Sequence, residues 1–214
     1  MVLAAPYDLG MLFVPELLRR MAERYPRICI DVRLGVSSVM LKAFSAGQSN
    51  ILLFNDSDPP SIPSQKIWSE PLVWLMARGG RALFCDPLPL AVATSGCAWR
   101  EAALRALNIA GRPYRIAYTS DAPSGQAAAL RADLAVVALP VSMEDNELMQ
   151  EPQFAGLPEL PQSYVRIACD EGELAAAVIT IAEEVARTKL ALFLAGKTAG
   201  TVSRIVTAVE LFIL

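Results

Sequence analysis

The feature that most constrains this 214-residue chain is a change of apolar period that recurs in a fixed order. Ile28, Ile30, Val32 and Leu34 alternate with Cys29, Asp31 and Arg33, the period-two pattern of a strand that Gly35 ends. Helical patterns flank it. Upstream, Leu17, Leu18, Met21 and Tyr25 form one apolar face, while Arg19, Arg20, Glu23 and Arg24 lie largely outside it. Pro15 suits the first turn of that helix, where a missing N–H costs nothing, and Pro26 stops it. Downstream, Val39, Met40, Leu41 and Phe44 read as a helix capped by Ser37 or Ser38 and closed at Gly47. Short apolar runs at 2–5 and 51–54 suit buried strands, and Pro6 to Gly10 reads as a loop after the first. The order β-α-β-α-β implies a parallel sheet.

The same order then repeats. Residues 55–66 are rich in Asp, Pro and Ser, and the apolar strand Pro71–Ala77 ends at the flexible Arg78-Gly79-Gly80. The second set has strands at 88–93, 114–118 and 134–139, and helices at 98–110 and 124–132. After an irregular, Pro-rich stretch at 150–162, Tyr164–Ala168 reads as a strand and 171–187 as a strong helix, both returning to the first set. A chain that leaves one lobe and returns to it crosses twice, with the first crossing placed at Arg78–Gly80. The expected fold is therefore α/β: a two-lobe clamshell, each lobe a mixed, mostly parallel sheet flanked by helices. Residues 1–77 plus 164–214 would form one lobe and 78–163 the other, with a ligand cleft between them. The apolar tail 188–214 is broken by Gly196, Lys197, Gly200, Arg204 and Glu210. A membrane helix needs about 20 continuous apolar residues, so the tail is not read as a span.

Composition removes several classes of function. The chain has no histidine, which excludes serine–histidine and cysteine–histidine catalysis and the commonest metal ligand. The four cysteines, at 29, 85, 97 and 169, form no C-x-x-C pair. They read as buried free thiols in a reducing cytosol, with no metal site and no cofactor. Net charge is −3, and the densest basic cluster, Arg19, Arg20, Arg24 and Arg27, is a solvated helix face. Direct DNA contact by this chain is not expected, because phosphate neutralisation needs a basic surface. The N-terminus has no basic region followed by an apolar stretch, so it is not a signal peptide, and the reading is cytoplasmic.

An ordered series of motifs resembles the effector domain of LysR-type transcriptional regulators over roughly residues 2–187. It begins with Met21–Pro26, the strand 28–34 and Gly35-Val36-Ser37-Ser38, and continues through Leu41–Gly47 and Asn50–Leu53, where Asn50 replaces the family's usual acid. Trp68–Trp74 matches its crossover strand. Leu88–Ala91, Cys97–Leu104 and Gly111–Ser120 look like one branch, which includes regulators of motility and virulence genes. Ala127–Ala132, then Asp133-Leu134-Ala135 and Val136–Pro140, complete the series, with Asp133 and Ala135 standing where the family usually has glycines. The resemblance implies the type II periplasmic-binding-protein fold, a small-molecule effector, and a homodimer or tetramer packed through the helices at 15–25 and 98–110. It also implies DNA binding only through a winged helix-turn-helix that this chain lacks.

Candidate ligand contacts follow from helix starts and the carboxyl ends of strands. Tyr7 and Asp8 follow the first strand. The resemblance places effector contacts at Ser37 and Ser38, which also fit as ordinary caps. Ser124-Gly125-Gln126, preceded by Thr119-Ser120-Asp121, lies at the matching place in the second lobe, with Thr119, Ser120 and Ser124 as the candidate contacts, where a polar loop plus cap fits as well. A transport solute-binding protein of the same fold is the alternative reading. An enzyme using Asp8, Ser37 or Thr119 for proton chemistry lacks a convergent motif.

Overall fold

The structure, a computed structural model, describes residues 1–56, 60–150, 156–172 and 174–189. The chain opens with β1 (Val2–Pro6), then α1 (Tyr7–Leu12) and α2 (Val14–Arg24). Next come β2 (Asp31–Gly35), α3 (Ser37–Ser45) and β3 (Ile51–Asp56). The long β4 (Gln65–Ala77) leads into β5 (Leu88–Val92), α4 (Ala98–Ile109), β6 (Tyr114–Thr119), α5 (Pro123–Arg131) and β7 (Val137–Pro140). The chain closes with β8 (Leu148–Gln150), β9 (Gln162–Cys169) and α6 (residues 175–189).

β1 pairs in parallel with β2 on one side and β3 on the other. β9 runs antiparallel between β3 and the first part of β4, which pair with it through Ile51–Asp56 and Gln65–Pro71. From Leu72 onward β4 pairs with β7 and β8 instead. One strand therefore serves two sets of partners, and the change falls near Leu72, ahead of the Arg78–Gly80 turn. β5 and β6 are parallel, and Leu90 bridges Val136 just ahead of β7.

The core divides in the same way. One cluster gathers Leu72, Leu75, Leu90, Leu107, Leu130 and Leu139 among β4, β5, β7, α4 and α5. A second lies on one face of the first sheet, where Leu53 and Ile167 pack under Phe13, Leu17, Ile181 and Val185 from α2 and α6. A third covers the opposite face, with Leu52, Phe54 and Ala168 under Met40, Leu41 and Phe44 of α3. The result is two lobes of mixed sheet with helices on their faces.

The local signals in α2 hold: Pro15 stands in its first turn, Leu17 and Met21 are buried, and Arg24 ends it. Its arginines pair with acids, Arg19 and Arg20 with Glu16, and Arg20 and Arg24 with Glu184 of α6.

Four expectations fail. Pro6–Gly10 is not a loop, because α1 begins at Tyr7 directly after β1. The glycine that suggested a loop is there for packing: a Cβ on Gly10 would meet a Leu34 methyl at 2.6 Å. The period-two strand is shorter than 28–34, since pairing with β1 starts only at Asp31. Cys29 therefore lies outside the sheet and is exposed, as is Cys85, while Cys97 and Cys169 are half-buried, so the thiols are not uniformly core. The serines are not caps. Val36 is the N-cap of α3 and Ala122 that of α5, and neither helix has a side-chain cap bond. Residues 190–214 of the tail lie outside the described residues.

Candidate functional site

A crevice with an apolar lining and several polar side chains lies where the two lobes meet. One wall comes from the ends of β1, β2 and β3, with Tyr7, Asp8, Val36, Ser37 and Asn55. The other comes from the starts of α4 and α5, with Cys97, Trp99, Asp121, Pro123 and Gln126. The space is about 490 Å³ counting its open mouth, of which about 40 Å³ admits the centre of a water molecule. One water needs roughly 10–15 Å³ by that measure, so the crevice as it stands takes only a few heavy atoms.

Asp8 is 8% exposed and accepts a 2.8 Å hydrogen bond from Asn55 Nδ2. Burial pushes its carboxyl above the ordinary range; the Asn55 bond and the backbone N–H groups of Asp8 and Leu9 pull the other way. Glu70 in β4 is also buried. It accepts bonds from the N–H (2.8 Å) and hydroxyl (3.0 Å) of Ser142, and burial pushes its carboxyl up, as does the charge of Asp8. On the opposite wall, Asp121 Oδ1 accepts from both the N–H (2.8 Å) and the hydroxyl (2.6 Å) of Thr94. Gln126 is 5% exposed and donates Nε2 to the Ser120 carbonyl at 2.7 Å.

Cys97 is the N-cap of α4, and its thiol is pushed up by burial and then by the charges of Asp8 and Asp121, against the N–H groups of Arg100 and Trp99. Trp99 donates its indole N–H to Ser163 Oγ at 2.8 Å, which joins α4 to the start of β9. Arg100, one residue on, donates to the Ala93 carbonyl and lines a separate small cavity.

The structure brings Tyr7, Asp8 and Ser37 into the crevice. Ser38 is beside it, with its side chain 3.4 Å from where a Cβ on Gly96 would stand. Ser120 contributes its carbonyl to Gln126 but does not line the space. Thr119 and Ser124 are exposed and away from it. The candidate segment from Thr119 to Gln126 does reach the crevice, through Asp121 and Gln126. Sequence reasoning missed Asn55, an unremarkable polar residue in its own segment that becomes a wall residue through contact across the 47 positions separating it from Asp8.

Asp133 explains one departure noted in the sequence. Its φ is +54°, the left-handed region where glycine is easiest, and its carboxylate accepts bonds from the N–H groups of Arg81 and Ala82. Asn50 likewise replaces an acid usefully: Oδ1 accepts from Val2 N at 2.7 Å and Nδ2 donates to Asp170 at 2.7 Å.

Among the described residues no helix is long and apolar enough to cross a membrane. A two-lobe α/β fold with polar residues from both lobes at the junction defines the class of binding domains with the type II periplasmic-binding-protein fold. The chain belongs to the LysR substrate binding domain family, which matches residues 1–189. It is 27% identical over 165 residues to the HTH-type transcriptional regulator DgdR of Burkholderia cepacia, covering 77% of this chain and 56% of that protein. It is 24% identical over 193 residues to the HTH-type transcriptional regulator PecT of Dickeya dadantii (strain 3937), covering 89% of this chain and 61% of that protein. The chain thus spans little more than half the length of these relatives. Among solved structures, the effector binding domain of QuiR in complex with shikimate superposes with a TM-score of 0.67 at 10% identity, over 88% of this chain and 97% of that one.

Proposed function

We propose that this chain is the effector-sensing domain of a LysR-type transcriptional regulator, that it binds a small molecule in the inter-lobe crevice, and that it is not an enzyme. The observation that carries the reading is the crevice itself, whose walls come in equal measure from two lobes joined by crossing strands. A ligand bridging such walls favours one lobe arrangement over others, and the shift in population is the signal. The relatives are transcription regulators, and the QuiR domain holds shikimate, which supports the same use here. Tyr7, Asp8 and Ser37 are the contacts on one wall, with Asn55 beside them, and Asp121 and Gln126 are the contacts on the other. The lobes divide within β4 near residue 71 and again in the return stretch 156–162.

The family reading favours a regulator over a transport solute-binding protein. In a complete regulator a winged helix-turn-helix outside this chain would contact DNA. Homo-oligomers would form through α2 and α4, where Ile109 is 82% exposed.

The test is thermal melting of the purified chain against a library of small metabolites. A ligand at about 100 times its Kd adds about 2.7 kcal/mol. A hit lost in Ser37→Ala and in Gln126→Ala supports the reading. Complete absence of hits from a broad library overturns it.

A further inference from the structure

β4 changes partners between Pro71, which pairs with Gln162 of β9, and Leu72, which pairs with Pro140 of β7. Next to that switch, on the first-lobe side, Glu70 stands directly opposite Ser163. Both are buried, at 8% and 3% exposure. Each accepts hydrogen bonds from the second lobe. Trp99 of α4 donates its indole N–H to Ser163 Oγ at 2.8 Å. Ser142, just after β7, donates its N–H at 2.8 Å and its hydroxyl at 3.0 Å to the Glu70 carboxylate. Trp99 and Met143 pack in the apolar core of the second lobe, and Val165, two residues beyond Ser163, packs in that of the first. Three bonds from two separate segments of one lobe thus end on a single facing pair in the other.

Two extended strands that cross between lobes allow one lobe to turn against the other. The three bonds oppose that motion. Trp99 is itself a wall residue of the crevice, so α4 cannot withdraw from the first lobe without stretching the bond to Ser163. Ser142 moves with the same lobe. The crevice as it stands takes only a few heavy atoms, so the bonds hold it at a narrow width.

We propose that Glu70 and Ser163 are positioning residues that keep the crevice narrow, and that an effector of more than a few heavy atoms enters only when their bonds to Ser142 and Trp99 release. The proposal rests on the effector-sensing reading for its meaning, and its test uses no effector. Removing the Ser163 hydroxyl leaves the Trp99 donor orphaned while the lobes are together, whereas parting the lobes gives that donor water. The equilibrium therefore moves towards the parted state.

Two cysteines read the difference. Cys97 lines the crevice, and Cys169 lies at the end of β9 in the first lobe, beside a separate pocket with Asn50 and Asp170. Iodoacetamide labelling of the native chain is followed by mass spectrometry, each rate being divided by that of the same cysteine in the urea-unfolded chain. In Ser163→Ala and in Ser142→Ala the ratio of Cys97 to Cys169 labelling is expected to rise about tenfold over wild type. A bond that merely stabilises the fold speeds both cysteines alike through global unfolding and leaves the ratio where it was. Glu70→Gln replaces either variant should it fail to fold. An unchanged ratio in both variants overturns the proposal. So does a rise in only one of them, which reports loosening beside that substitution. If both ratios rise but no metabolite binds, the control of lobe spacing stands and the sensing reading falls. Metabolite hits with unchanged ratios give the reverse.

Discussion

Trp99 donates its indole N–H to Ser163 Oγ across 2.8 Å, and both residues are buried. The pair links the start of α4 in one lobe to the start of β9, the strand that returns the chain to the other. Trp99 is 9% and Ser163 3% exposed, so water has little access to the bond. Ser163→Ala is expected to cost about 1–3 kcal/mol, the penalty for an orphaned buried donor. Urea unfolding of Ser163→Ala, Trp99→Phe and the double variant checks this, because the double variant should cost less than the sum of the two singles. Strict additivity would remove the bond from the account.

Asp8 and Glu70 make stability fall as pH rises. Burial is the largest cause of the rise in both carboxyls, from ordinary values of 3.8 and 4.5, so the folded chain holds each proton more tightly than the unfolded chain. Below the unfolded values both states are protonated. Above them the unfolded chain ionises first, and stability is lost until the folded group also ionises. Asp8→Asn keeps an acceptor for Asn55 and removes the titration. Its stability relative to wild type is expected to improve as pH climbs from about 4 towards neutrality. Melting temperatures of both proteins across that range are the check, and a constant difference would show that Asp8 does not titrate abnormally.

Asp133 and Gly80 constrain one another. A Cβ on Gly80 would stand 2.3 Å from Asp133 Oδ1, so the carboxylate reaches the Arg81 and Ala82 N–H groups only because residue 80 has no side chain. Asp133→Gly removes the positive-φ strain but gives up the bonds to the exposed Arg81 N–H and the part-buried Ala82 N–H, whereas Asp133→Ala loses the bonds and keeps the strain. The expected order of stability is wild type, then glycine, then alanine, with the alanine variant about 1–3 kcal/mol below wild type. Chemical denaturation of the three proteins measures it, and Gly80→Ala should reproduce most of the alanine loss.

The four thiols should separate by reactivity. Cys29 and Cys85 are exposed. Burial holds the Cys97 thiol above its ordinary value, with Asp8 and Asp121 adding to the effect, and burial with Asp170 takes Cys169 to about 11. Thiolate is the reactive form, so neutral alkylation should mark Cys29 and Cys85 first and the other pair only after unfolding. Mass spectrometry of peptides after timed iodoacetamide exposure gives the order. Early labelling of Cys97 would contradict its description as a protonated thiol facing two acids.

Much of the architecture is legible from period and punctuation. Pro15 and Pro26 bracket α2, Gly47 closes α3, and 98–110 is α4 to within a residue, because helix bounds follow from local steric and hydrogen-bonding preferences that single residues carry. Half of one crevice wall was legible too: Tyr7, Asp8 and Ser37 follow strand ends, where an α/β sheet leaves space. The other wall was legible as a segment and not residue by residue. The segment from Thr119 to Gln126 was legible, but Thr119 and Ser124 are exposed and do not line the space, whereas Asp121 and Gln126 do, and Asn55 joined the opposite wall through the packing of separate segments. Gly10 reads as a loop residue and is a packing contact within α1, because Leu34 approaches it from β2. The amino-acid sequence thus determined which segments become strands and helices, since those depend on neighbours a few positions away. The tertiary structure decided which polar side chains share a crevice, since burial of groups such as Asp8 and Gln126 arises only when distant segments exclude water together.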